Sequence, residues 1–267
     1  MTNIFSGKTT APEKVEDDFL AGSGILDTDM YLATIKTAYI GKAAKSEARN
    51  VTLLLEVNGK EYRQQIWVSN RDGDVTYKDK KTLEAKNLPG FNQVNSLCLL
   101  VAGKEMGAMD VEELTVKLYD FEAKKELPQA VDCFTELHGE EVMVAFQRQT
   151  VDKTTKNEAT GSYDATGEVK DINEVVKFFA NGPTVTISEV AEFVKSLGGD
   201  FDDVITDGDV LKAISRMDAD AGVYAEKWLD RNKGQTYDKS SGKKAAGTPF
   251  SGGTKADKPK PKNSLFD

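Results

Sequence analysis

One histidine serves a chain of 267 residues, and that scarcity narrows the chemistry first. His138 lies in Leu137-His138-Gly139-Glu140, which reads as a turn between strands. A Ser-His-Asp or Cys-His device would have to recruit it, and no G-x-S-x-G nucleophile turn occurs. Zinc sites of histidine and cysteine are short of ligands too. The two cysteines, Cys98 and Cys133, sit among apolar neighbours without CxxC spacing. Both are expected as buried, reduced thiols of a cytosolic protein. A GxxxxGK-type phosphate loop is missing as well. Of the carboxylate clusters, Asp72-Gly73-Asp74 reads as a turn and Asp207-Gly208-Asp209 as a helix start. Neither matches a calcium loop. These shortages point away from an enzyme: no catalytic residue, cofactor or metal is expected.

Long apolar runs are also absent. Nothing approaches the roughly 20 residues that span a bilayer. The first residues lack a basic region followed by an apolar stretch, so no secretory signal is expected.

What is present is a strand pattern, interrupted once by a helix. Tyr31 to Ile40 is rich in β-branched and aromatic residues. The strongest local signal follows: Asn50 to Val57, then Asn58-Gly59, then Lys60 to Val68. Asn-Gly supplies the two positive-φ residues of a type I′ turn, which predicts a two-residue hairpin. With Val57 opposite Lys60, the register sets Leu55 against Tyr62, Leu53 against Gln64 and Val51 against Ile66. Those residues form one mostly apolar face, the expected core. The other face carries Arg63, Gln65 and Trp67 in line and is expected to be exposed. A tryptophan covered by an N-terminal arm or a subunit contact is the alternative.

A polar stretch, Ser69 to Lys86, follows the Trp67 strand and could extend a groove. Phe91, Val94, Leu97, Cys98 and Val101 then recur at helical spacing, with Gly103 at the end. Leu114 to Phe121, Gln129 to Leu137 and Glu141 to Val151 read as further strands. The order is three strands, a helix and more strands. It is that of an OB-type five-stranded β-barrel, whose second and third strands commonly bind oligonucleotides. Beyond it, Ile172, Val175, Val176 and Phe179 suggest a helix, and Thr186 with Glu189 a capping box. Two more helices are expected around Val210 to Met217 and Tyr224 to Leu229.

The expected class is therefore α+β. An N-terminal arm (1–29) precedes an OB-like domain (30–152), a flexible loop (153–170) and a helical region (171–232). A disordered basic tail (233–267) closes the chain. That tail holds eight lysines against three aspartates, a net of +5, leaving −14 for the remainder of a chain at −9. It ends in Leu265-Phe266-Asp267, two large apolar residues that read as a docking peptide for a partner protein.

Several segments resemble the single-stranded-DNA-binding proteins of tailed phages, specifically podoviruses that carry a virion RNA polymerase. They are Leu88-Pro89-Gly90-Phe91-Asn92 continuing through Val94-Asn95-Ser96-Leu97-Cys98, then Lys117-Leu118-Tyr119-Asp120, and Val142-Met143-Val144-Ala145-Phe146 ahead of Lys153-Thr154. The similarity spans about Tyr31 to Gly198. It implies single-stranded-DNA binding in replication or recombination, and a cofactor role in which RNA polymerase is recruited, in the cytoplasm of an infected bacterium. The tail departs from the pattern, because many such relatives end in an acidic tail that competes with DNA, and this one is basic up to Asp267.

A pI near 4.9 does not forbid such binding, since affinity needs only a local basic track and stacking surfaces. The expected platforms are Trp67 and Tyr77. Arg63, Arg71, Lys78, Lys80 and Lys81 would meet phosphates, with Arg49 and Gln65 beside them. Sheet edges leave room for a homo-oligomer. The competing reading is a β-barrel interaction or assembly adaptor that binds no nucleic acid.

Overall fold

The Asn58-Gly59 turn organises the first sheet. In the computed structural model, which describes residues 24–120, 123–157 and 163–240, Asn58 and Gly59 have φ of 51° and 73°. They join β2 (Arg49–Val57) to β3 (Lys60–Trp67) in the expected register: Val57 opposite Lys60, Leu55 opposite Tyr62, Val51 opposite Ile66. On the other side of β2 lies β1 (Asp29–Lys42), antiparallel, with an irregularity between Ile35 and Thr37.

The chain continues through a small hairpin, β4 (Thr76–Lys78) and β5 (Ala85–Asn87), into α1 (Pro89–Ala102). Pro89 begins that helix, where a missing N–H costs nothing, and Gly103 ends it in the left-handed region at φ 72°. Next come β6 (Val111–Asp120), β7 (Lys125–Phe134), β8 (Glu141–Lys156) and β9 (Tyr163–Phe179). Four helices, α2 (Ile187–Ser196), α3 (Phe201–Thr206), α4 (Val210–Ser215) and α5 (Val223–Asn232), lead to β10 (Thr236–Asp238). Eight strands form one sheet and β4–β5 a second, a mixed α+β architecture.

The expected closed barrel is not formed. Among the described residues β3 pairs with β2 alone and β9 with β8 alone, so the sheet stays open between β3 and β9. Side chains occupy the seam where a ladder would close it. Gln64 Oε1 accepts from Val175 N–H at 3.3 Å, and Gln93 Nε2 of α1 donates to Val175 O at 3.1 Å. Both backbone groups of Val175 are thereby satisfied by side chains, with no second strand beside β9 among the described residues. Residues 24–28 lace the same seam: Tyr62 Oη donates to Gly24 O, and the Asn173 amide exchanges two hydrogen bonds with Leu26.

Three further expectations are corrected. Residues 153–170, expected as a flexible loop, belong largely to the β8–β9 hairpin, and Ile172 to Phe179 are strand, not helix. The cause is a bulge. Phe146 pairs with Val175 and Ala145 with Lys177, so Val176 is an extra residue that resets the alternation. Val175 and Phe178 thus face the same core three residues apart, which mimics helical spacing. The tail also starts later than residue 233, because Thr236–Asp238 pairs parallel with Arg148–Thr150. The rest of the tail lies outside the described residues, as do residues 1–23 of the arm.

One core joins sheet and helices. Val51, Leu53, Leu55, Val94, Leu97, Cys98, Val142, Val144 and Phe146 form it with Val190, Val194, Val210 and Ile214. The Thr186–Glu189 capping box is present at the start of α2. Among the described residues, no helix is long and apolar enough to cross a membrane.

Candidate nucleic-acid interface

Because β3 alternates, Arg63, Gln65 and Trp67 project to the side opposite Tyr62, Gln64 and Ile66. Their partners on β2, Leu54, Thr52 and Asn50, project to that same side and are buried. This corrects the expectation of a wholly exposed face. The β6–β7 hairpin covers it over β1 and β2, where Leu54 and Tyr39 cluster with Leu118 and Cys133. The cover stops short of β3. Arg63, Gln65 and Trp67 remain exposed, and Trp67 shows 47% of its surface. Leaving an indole that open forgoes the burial that normally stabilises the residue, so its exposure asks for a use.

Neighbouring elements hold this row in place. Arg63 Nη2 donates to Tyr39 Oη at 3.4 Å, reaching across β2. At the other end Gly90 of α1 packs directly on the Trp67 carbonyl, with no room for a Cβ. The half-buried Tyr62 lies on the core side, its ring 5.6 Å from that of Phe146.

The remaining expected residues are exposed on other strands and turns. Arg49 opens β2, where its N–H donates to Ser69 Oγ at 2.8 Å and its carbonyl accepts from Val68 N–H. Arg71 follows β3, and its carbonyl accepts from Glu47 N–H, which ties that loop to the turn before β2. An open cleft of about 440 Å³ lies between these segments, lined by Arg49, Ser69, Asp72 and Met106 among others. Tyr77, 43% exposed, and Lys78 stand on β4, with Lys80 and Lys81 in the turn that follows.

That turn was hidden in the sequence. Asp79 Oδ1 accepts from the N–H groups of Lys81 and Thr82, and Leu83 adopts φ 60° where glycine or asparagine is usual. Lys86 donates to Asp79 Oδ2 at 2.8 Å, and with the two N–H groups holds that carboxyl below the ordinary aspartate range. Lys86 is therefore engaged locally. Lys78, Lys80, Lys81, Arg49 and Arg71 have no ion-pair partner among the described residues. Residues 69–88 hold five cations against four carboxylates, so positive charge is concentrated at Lys78, Lys80 and Lys81, not spread over the stretch.

The carboxylate clusters sit in local structure. Asn70 Oδ1 accepts from the backbone N–H groups of Asp72 and Asp74 in a turn, and Asp209 stands at the N-cap position of α4, where Lys212 Nζ lies 3.3 Å from its Oδ2. Among the described residues no group of three or more histidine, cysteine or acidic side chains could hold a metal. His138 takes a structural part: its Nε2 accepts from Ala38 N–H at 3.1 Å. Leu265, Phe266 and Asp267 lie outside the described residues.

No protein-family model matches the chain, and a search of curated proteins returns no match. The segments that carry the phage resemblance fall on α1, β6 and β8.

Proposed function

We propose that this protein binds single-stranded DNA without base specificity and has no catalytic role. The observation that carries the reading is the exposed Arg63–Gln65–Trp67 row on β3, followed along the chain by a β4–β5 hairpin that exposes Tyr77, Lys78, Lys80 and Lys81. An open indole offers a stacking surface that accepts any base at about 1–3 kcal/mol each, and unpaired cations meet phosphates. A flat aromatic platform supplies no hydrogen-bond code and suits a splayed strand better than a stacked duplex. With a net charge of −9, attraction is local, so binding is steeply salt-sensitive.

The phage resemblance supports a setting for that activity: replication, recombination or transcription in the cytoplasm of an infected bacterium. There the Leu265-Phe266-Asp267 end recruits replication proteins or RNA polymerase. A gel-shift assay with poly-dT against duplex competitor tests the central claim. Retarded poly-dT complexes that excess duplex does not displace are expected. Equal displacement by duplex, or no complex at low salt, would overturn it and favour the adaptor reading.

A further inference from the structure

Strand β6 leaves one backbone edge open. It runs for ten residues, and β7 is its only ladder partner among the described residues. Its register with β7 runs unbroken from Val111–Phe134 to Asp120–Lys125. The strand has neither a bulge nor a proline, two of the devices that blunt an edge against pairing. Across from Lys117 stands Pro128, which has no N–H to give. Residues of Lys117's parity therefore turn their own N–H and C=O away from β7, toward the open edge.

The side chains along this edge are self-complementary. Val111, Glu113, Thr115, Lys117 and Tyr119 form one exposed row, while Leu114, Val116 and Leu118 turn inward. An antiparallel pairing of β6 with itself, centred on Thr115, sets Glu113 opposite the second copy's Lys117 and Lys117 opposite the second copy's Glu113. In that register Val111, 47% exposed, meets the second copy's Tyr119. Directly opposed side chains in such a pair lie about 5 Å apart at Cβ. Glu113 and Lys117 have no ion-pair partner among the described residues. A slip by one residue on either strand would oppose exposed side chains to inward ones, so few registers compete.

We propose that β6 is the docking edge for a second copy of this chain, joined antiparallel about a two-fold axis through Thr115. The result is a sheet continuous across two protomers, closed by symmetry so that it does not propagate. The Trp67 row lies on β3, a different strand, and this inference stands or falls apart from DNA binding.

Sedimentation equilibrium of the full chain at moderate salt tests it. A concentration-dependent dimer is expected. Glu113→Lys and Lys117→Glu should each weaken it by roughly tenfold or more, since each sets like charges against one another twice per dimer. The double variant Glu113→Lys/Lys117→Glu restores opposite charges across the axis and should return the affinity to near the wild-type value. Thr115→Cys should cross-link to its own mate under mild oxidation, because residues opposed across an antiparallel pair fall within disulfide reach. A chain that stays monomeric at every concentration overturns the proposal. So does a dimer indifferent to the single reversals, a double variant that stays weak, or a Thr115→Cys chain that does not cross-link.

Discussion

Gly90 lies against the carbonyl oxygen of Trp67, so near that a Cβ on residue 90 would overlap that oxygen and crowd Ile66 Cγ2. The start of α1 is thus seated directly on the end of the strand that presents the indole. Close approach, not backbone conformation, requires the glycine here. Gly90→Ala must push α1 and β3 apart and should cost about 1–3 kcal/mol of stability, the usual range for overpacking. If the indole is the platform, oligo-dT affinity should fall with it. Urea unfolding and a DNA titration of the same variant check both. Unchanged stability would mean that the helix start can shift freely.

Trp67 and Trp228 make an internal contrast, one 47% and the other 7% exposed. In a Trp228→Phe background, adding oligo-dT should quench the remaining Trp67 fluorescence. Trp67→Ala should weaken single-strand binding by about 1–3 kcal/mol, one stacked base's worth. Its stability loss should stay well below the roughly 3–5 kcal/mol of a buried tryptophan truncation. Trp228→Ala, which empties the contact with Phe179 and Ala145, should show the larger stability loss. Fluorescence blind to DNA together with unaltered affinity in Trp67→Ala would remove β3 from the interface.

The capping box of α2 gives a stability prediction away from the interface. Thr186 Oγ1 accepts from Glu189 N–H at 3.3 Å, and Glu189 Oε2 accepts from Thr186 N–H at 2.8 Å. Thr186→Ala should cost about 1 kcal/mol by chemical denaturation while leaving DNA affinity unchanged. A loss of affinity in this variant would implicate α2 in binding.

Asp171 sets an acid limb. Thr150 Oγ1 donates to its Oδ1 at 2.7 Å and Arg148 Nη2 to its Oδ2 at 2.7 Å, and these bonds hold the carboxyl below the ordinary aspartate range. A depressed folded pKa contributes stability that is fully present above the unfolded value of about 4 and is lost as pH falls through the lower folded value. Wild type should therefore melt above Asp171→Asn at neutral pH, and the gap should narrow on acidification below about pH 4. Thermal melts of both proteins between pH 3 and 7 read this directly. A gap that is constant across the range would show that the carboxylate charge contributes nothing there.

Cys98 is fully buried, and burial pushes its thiol up to about 12. Burial raises Cys133 as well. Neither should react with a thiol reagent at pH 8 until the protein unfolds, when both should. Rapid labelling of the native chain would contradict their burial.

Where local chemistry specifies geometry, the sequence by itself was sufficient. Asn58-Gly59 determines the turn, the turn determines the register, and the register sorts Val51, Leu53 and Leu55 from Arg63, Gln65 and Trp67. Pro89, Gly103 and the Thr186–Glu189 pair mark helix ends for the same reason, since each acts within a few residues of itself. Tertiary structure decided what depends on distant partners. The extra residue Val176 gave a strand the spacing of a helix, a distinction visible only once β8 lies beside it. The amides of Gln64 and Gln93 took Val175's backbone groups from different elements, so the sheet stayed open where the strand order suggested a barrel. The reach of the β6–β7 hairpin buried Leu54, Thr52 and Asn50 yet left Trp67 uncovered, because covering depends on where a second element ends and not on alternation within the first.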